Sequence, residues 1–78
     1  MYYVYILICS EERLYTGCTD DLKQRLHRHQ SGHVLATKGY LPVRLHGYMA
    51  INNKEKAFAL EKYLKSGSGR AFLRKHLL

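Results

Sequence analysis

The chain has little acid. Six Asp and Glu stand against thirteen Lys and Arg, leaving a net charge of +7 with neutral histidines. That excess on a small surface implies a polyanionic partner. Nucleic acid is expected before an anionic membrane, because no stretch reads as a basic amphipathic helix with a broad apolar face. Long hydrophobic runs are also missing. The stretch YYVYILIC, Tyr2 to Cys9, is too short to span a bilayer, follows no basic leader and is succeeded by SEER. It reads as a strand, and an intracellular, cytoplasmic protein is expected. Cysteine is limited to Cys9 and Cys18. A hairpin would hold them at opposite ends of a strand pair, roughly 15 Å apart at ~3.3 Å per residue. That is beyond disulfide reach of about 7 Å. Eight residues separate them, more than the two to four of a zinc finger completed by His29 and His33. Both are expected as reduced fillers. There is one proline, Pro42, and no linker, repeat or low-complexity tract. One domain, 1–78, with a single modest core is the expectation.

What is present follows a clear order. Residues 2–9, rich in Tyr, Val and Ile, predict a strand, Ser10–Glu12 a turn and 13–18 a second strand. A loop centred on Glu11 puts Tyr5 opposite Gly17 and Leu7 opposite Tyr15. Tyr5, Tyr15 and Gly17 then share one sheet face, while Tyr2, Val4, Ile6 and Ile8 form a core face. Thr19 or Asp20 is expected to cap a helix over about 20–31, with acids in its first turn. Along it Leu22 and Leu26 make a narrow apolar stripe, and Arg25 and His29 a second i, i+4 row beside it. Gly32 ends the helix in a left-handed conformation. Residues 33–42 read as a loop or short helical turn that Pro42 keeps from extending. Residues 43–51 predict a third strand. Asn52 and Glu55 suggest a capping box for a helix over about 53–65, Gly67 its end, SGSGR a tight turn, and 70–78 a last short helix.

One carboxylate is out of place. At ~100° per residue, Ala57 and Leu64 fall near Leu60 on the third helix, and Glu61 lands inside the same apolar arc. A carboxylate there needs a cation, a metal or an opening into a cleft. Ion pairing with Lys65 or Arg25 is the plain structural answer, and metal binding the functional one.

Two tyrosines on one sheet face, an Arg and a His on one helix face and an inward Glu on another helix resemble the GIY-YIG nuclease family in order and spacing. The first motif reads YVY (Tyr3–Tyr5) and the second YTG (Tyr15–Gly17). CTDDLKQRLHRH resembles the helix after the second motif, AFALEKYLK the helix of the metal-binding Glu, and ATKGYLPVRL the segment between. KSGSGRAFLRKHL is similar to the tail of small stand-alone members. The likeness runs over essentially the whole chain. Tyr3 stands where the family usually has Gly, and Thr16 where it has Ile. The family's Asn after the metal-binding Glu has no counterpart beyond Asn53, leaving Arg70 or Ser68 to supply its contact.

The resemblance implies an α/β (α+β) fold, a three-stranded antiparallel sheet flanked by three to four helices. It implies hydrolysis of DNA phosphodiester bonds with one divalent ion, Mg²⁺ or Mn²⁺, per site. The activity that the resemblance implies is structure-selective and linked to DNA repair or recombination. By matching position Glu61 would hold the metal, Arg25 would grip the scissile phosphate, and Tyr5 in preference to Tyr15 would take a proton from the attacking water. His29 would polarise a Tyr or the water, or touch phosphate from the helix surface. Gly17 would keep the face open to substrate, with Lys38, Arg44, Lys65 and Arg70 as further substrate contacts. The chemistry asks for these residue types on its own account. A planar guanidinium matches the charged non-bridging oxygens, and Mg²⁺ is content with one carboxylate and several waters. A free Tyr, with pKa near 10, needs help to act as a base at neutral pH. A monomer or weak homodimer is expected. The competing readings are an inactive nucleic-acid-binding module on the same fold and a small basic protein docking on RNA or a ribosome. Pure binding has no use for an inward carboxylate, and charge alone does not explain the constellation.

Overall fold

The β-branched and aromatic stretch Tyr2–Ile8 forms the central strand β1 of an antiparallel sheet. The computed structural model describes residues 1–78. On either side of β1 lie β2 (Leu14–Thr19) and β3 (Arg44–Ile51), in the order β2-β1-β3. The β1–β2 register is the expected one, Tyr5 against Gly17 and Leu7 against Tyr15. Four helices complete the chain: α1 (Leu22–Gln30), α2 (Leu35–Lys38), α3 (Lys54–Lys65) and α4 (Gly67–His76). The three-stranded antiparallel sheet with flanking helices is thus present. Both cysteines are free, and no helix is long and apolar enough to cross a membrane.

Both faces of β1 are buried. Val4 and Ile6 pack against Ala57 and Leu64 of α3 and Leu73 of α4. Tyr5 and Leu7 join Cys9 and Val43 in a second cluster, closed by Leu22 and Leu26 of α1. The alternation in the sequence points to one core face and one open face. The odd face is covered because the Leu22–Leu26 stripe needs a partner and a central strand offers one on each side.

Three boundaries differ from the pattern. Asp21, not Thr19 or Asp20, caps α1, its Oδ1 accepting from the Gln24 amide at 3.0 Å. Thr19 Oγ1 instead accepts from the Asp21 amide at 3.1 Å and tightens the turn before the helix. β3 runs to Ile51, so Asn52 makes the exit turn and Asn53 caps α3 through the Lys56 amide at 2.9 Å. The third difference is SGSGR, which is not a tight turn. Ser66 ends α3 and also caps α4, accepting from the Gly69 amide at 3.2 Å. A side chain on Gly69 would overlap the Tyr63 carbonyl and the Leu64 backbone, so the two helices meet main chain to main chain there.

The β1–β2 connection carries strain. The Arg13 amide donates to the Ser10 carbonyl at 3.3 Å. Between them Glu11 and Glu12 both sit at positive φ, 60° and 56°, a pairing that favours Asn-Gly. Each left-handed non-glycine residue costs roughly 1–2 kcal/mol. The Glu11–Arg13 pair at 3.5 Å is exposed on both sides and offsets at most about 1 kcal/mol. Glu11→Asn with Glu12→Gly is therefore expected to stabilise the fold by about 1 kcal/mol and raise the melting temperature by roughly 5 °C. Thermal denaturation followed by circular dichroism checks this.

Candidate active site

The site begins with a ring lying on a backbone. Tyr5 projects from β1 across to β2, where a Cβ at Gly17 would overlap its hydroxyl and ring. Gly17 is buried beneath that ring. The residue expected to open the face to substrate instead makes room for Tyr5, and it offers no surface of its own.

The Tyr5 hydroxyl lies 2.9 Å from His29 Nε2, and His29 Nδ1 lies 2.8 Å from Thr37 Oγ1. Tyr5, His29 and Thr37 are all at or below 1 % exposure, so this hydrogen-bonded file is buried. His29 is not a helix-surface histidine. The reason is the pitch of α1, which turns the Arg25–His29 row toward the sheet beside the leucine stripe. Burial pushes the His29 pKa below its usual 6.5, and the charges of Arg25 and Arg28 add to the effect. A neutral imidazole has one N–H and one acceptor nitrogen. Arg25, half-buried on the same row, acts on the Tyr5 hydroxyl with its charge. In one of the two neutral His29 tautomers the phenol donates to Nε2 and Nδ1–H donates to Thr37. Burial first, then repulsion from Tyr15, pushes the Tyr5 pKa up to about 12 against the pull of Arg25, with Glu61 adding to the rise.

Tyr15 stands at the rim, half-buried, its ring 6.4 Å from that of Tyr5 and 5.1 Å from that of His29. Lys65 Nζ sits 5.2 Å over the Tyr15 ring and 3.1 Å from a Glu61 oxygen. Glu61 belongs to α3, which packs on the Val4–Ile6 face, opposite to Tyr5. Its charge nevertheless raises the pKa of both Tyr5 and Cys18, and Arg25 acts on the same two groups in the opposite sense. Lys65 links the carboxylate to Tyr15 at the edge formed by β2. An edge strand leaves that route open, and Glu61 retains 20 % exposure there. Arg70 of α4 borders a cleft of about 250 Å³ together with Tyr15, Thr16 and Lys65.

The structure thus gathers Tyr5, Tyr15, Arg25, His29, Glu61 and Lys65 about the β2 edge, with Arg70 beside them. Two expected substrate contacts fall elsewhere. Lys38 is an exposed residue at the end of α2 with no ion pair, and Arg44 lies on β3 at the opposite edge of the sheet. Thr37 is the residue that the sequence did not point to. It lies in a segment without apolar periodicity, and nothing local marks it for burial.

The acids also bear on metal binding. No group of three or more His, Cys, Asp or Glu converges. Glu61 is the carboxylate of the site, and one carboxylate completed by waters suits Mg²⁺. The Lys65 ammonium already neutralises it, so an ion would take that place and leave Lys65 free.

Similar proteins exist. A family model described as the GIY-YIG catalytic domain matches residues 1–75. A UPF0213 protein of Streptococcus agalactiae is 40% identical over 72 residues, 91% of this chain and 82% of its own. A UPF0213 protein of Clostridium perfringens is 42% identical over 66 residues, 83% of this chain and 71% of its own. The solution NMR structure of a UPF0213 protein from Bacillus halodurans matches with a TM-score of 0.60 at 37% identity, over 96% of this chain and 84% of that one.

Proposed function

The chain belongs to the GIY-YIG catalytic-domain family, and from that premise we propose that it is a divalent-metal-dependent endonuclease hydrolysing phosphodiester bonds in DNA. The observation that carries this reading is the buried Tyr5–His29–Thr37 file ending beside Arg25, with Glu61 brought to the same edge. Folding alone does not call for a buried phenol–imidazole–hydroxyl file with an arginine on one side and an acid at the same sheet edge.

Each residue takes a role that its surroundings support. Arg25 grips the scissile phosphate and stabilises the charge that grows on its oxygens. The Tyr5 oxygen accepts a proton from the attacking water while the phenol proton passes to His29 Nε2. Tyr5 is preferred to Tyr15 because its hydroxyl is the one bonded to His29. With its pKa near 12, Tyr5 holds no standing phenolate, and a concerted relay needs none. Thr37 is a positioning residue that keeps the other imidazole proton on Nδ1. Tyr15 lines the cleft where the water arrives, and Lys65 and Arg70 hold flanking phosphates. Glu61 would hold the metal, which when bound polarises the phosphate and steadies the departing oxygen.

The test is nicking of supercoiled plasmid by the purified protein with Mg²⁺ or Mn²⁺. Nicked circles should accumulate and EDTA should stop them. Retarded DNA in EDTA with no cleavage under either metal would favour a binding module instead.

The relay makes a separate prediction. Protonated His29 cannot accept, so kcat should fall with acid only below pH 6.5, its midpoint set by the lowered His29 pKa, and stay level through neutral pH. Thr37→Val should lower kcat about 10- to 100-fold with KM unchanged, as loss of a histidine-orienting partner does, and Thr37→Ser should restore it. An acid limb above pH 6.5, or a Val variant as active as wild type, would remove the relay from the mechanism.

A further inference from the structure

Three cavities abut along one side of the molecule. The first is the cleft at Tyr15, Lys65 and Arg70. The second, about 330 Å³, lies between the Glu11–Arg13 turn and Arg70 and Arg74. The third, about 410 Å³, runs from Arg74 to Arg44 and His46 over Ile8. Leu14 lines all three, Arg70 joins the first to the second, and Arg74 the second to the third. They form one furrow that leaves the candidate active site between β2 and α4 and ends at β3.

Its chemistry is uneven in an informative way. Arg70 and Arg74, one helical turn apart, and Arg44 at the far end form no ion pair. Unpaired cations along a concave wall concentrate positive potential. Beneath them Leu14 and Ile8 make an apolar floor. The acids are Glu11, which pairs with Arg13, and Glu12, which does not pair. His46 donates to the Leu77 carbonyl and is engaged in tying the end of α4 to β3. A duplex presents phosphates on a convex surface and keeps its bases stacked inside. A strand with free bases can meet both the cations on the walls, with its phosphates, and the apolar floor, with its bases.

We propose that this furrow holds a single-stranded nucleic-acid arm running from the scissile phosphate, so that a duplex with an unpaired tail is bound in preference to a blunt one. The proposal rests on the nuclease reading of the Tyr5–Glu61 site. It gives Arg44 a function away from the catalytic cluster and adds Arg74 to the binding surface. It also makes Glu12 a residue that weakens binding.

Fluorescence anisotropy in EDTA tests it, with a labelled duplex bearing a thymidine tail and its blunt counterpart. Wild type should prefer the tailed probe. Arg44→Gln with Arg74→Gln should weaken the tailed probe about tenfold and the blunt one less than about twofold, and should flatten the tailed probe's salt dependence by about 1.4 in log–log slope. Lys54→Gln with Lys56→Gln, an equal charge change at the exposed start of α3, should weaken both probes alike. Glu12→Gln should tighten the tailed probe about threefold, a gain that a damaged fold does not produce. Equal binding of the two probes by wild type, or equal loss of both in the Arg double variant, overturns the proposal. Plasmid nicking is scored separately with metal. Cleavage without tail preference removes the furrow alone, and tail preference without cleavage removes the nuclease reading alone.

Discussion

Glu61→Gln is expected to lower plasmid nicking by about three orders of magnitude while leaving the melting temperature nearly unchanged. The two magnitudes come from different physics. As a structural element, Glu61 offers an i, i+4 pair with a half-exposed Lys65, and such pairs contribute about 0–1 kcal/mol. As the metal-holding carboxylate, it supports transition-state stabilisation of several kcal/mol, and each ~1.4 kcal/mol is tenfold in rate. An amide has nearly the same shape and no charge, so packing is kept and only the electrostatics go. Arg25→Ala should lose nicking to a similar degree. Losing the Arg25 charge should push the Tyr5 pKa further up, so Tyr5 remains protonated at neutral pH. If wild type and Glu61→Gln leave the same trace of nicked circles, the activity is a contaminant's and the catalytic assignment is lost.

The largest effect on the fold is expected from Gly17→Ala. The new methyl would enter the space held by the Tyr5 hydroxyl and Cζ. Tyr5 has no free direction in which to yield, because it is 1 % exposed and bonded to His29. Overpacking of this kind costs about 1–3 kcal/mol, and losing the Tyr5–His29 hydrogen bond adds about 1 kcal/mol. A chain of this size has only about 4–12 kcal/mol in total. Loss of 2–4 kcal/mol should lower the melting temperature by more than ~10 °C and remove nicking with it. Gly47→Ala is the matched control. It is also a sheet glycine, but nothing lies within 4 Å of its Cβ position, so its melting temperature should stay within a few degrees of wild type. Equal behaviour of the two variants would mean that Tyr5 does not depend on the bare backbone at position 17.

How much of this was readable beforehand varies by residue. Tyr5 against Gly17 followed from the hairpin alone, because a strand repeats every two residues and the loop sets the register. Arg25 and His29 followed from helical spacing, and Glu61 from its intrusion into an apolar arc. The burial of His29 did not, since a helix row beside a leucine stripe can face either solvent or sheet. Thr37 had no signal at all, because its place is set by a partner eight residues earlier and not by any periodicity around it. The end of α3 misled for a simpler reason. Gly and Ser suit a tight turn and a helix start equally well, and the choice depended on how closely α4 had to approach α3.

The sequence by itself determined the elements, the hairpin register, the excess of positive charge and the candidate active-site side chains. Each of these depends on local periodicity or on composition, which a single chain displays in full. Only the tertiary structure decided that an acid on one face of the sheet and a phenol on the other meet at one edge, through Lys65. That meeting depends on β2 being an edge strand, because an edge is the one place where side chains from the two faces can approach without passing through the backbone hydrogen-bond ladder.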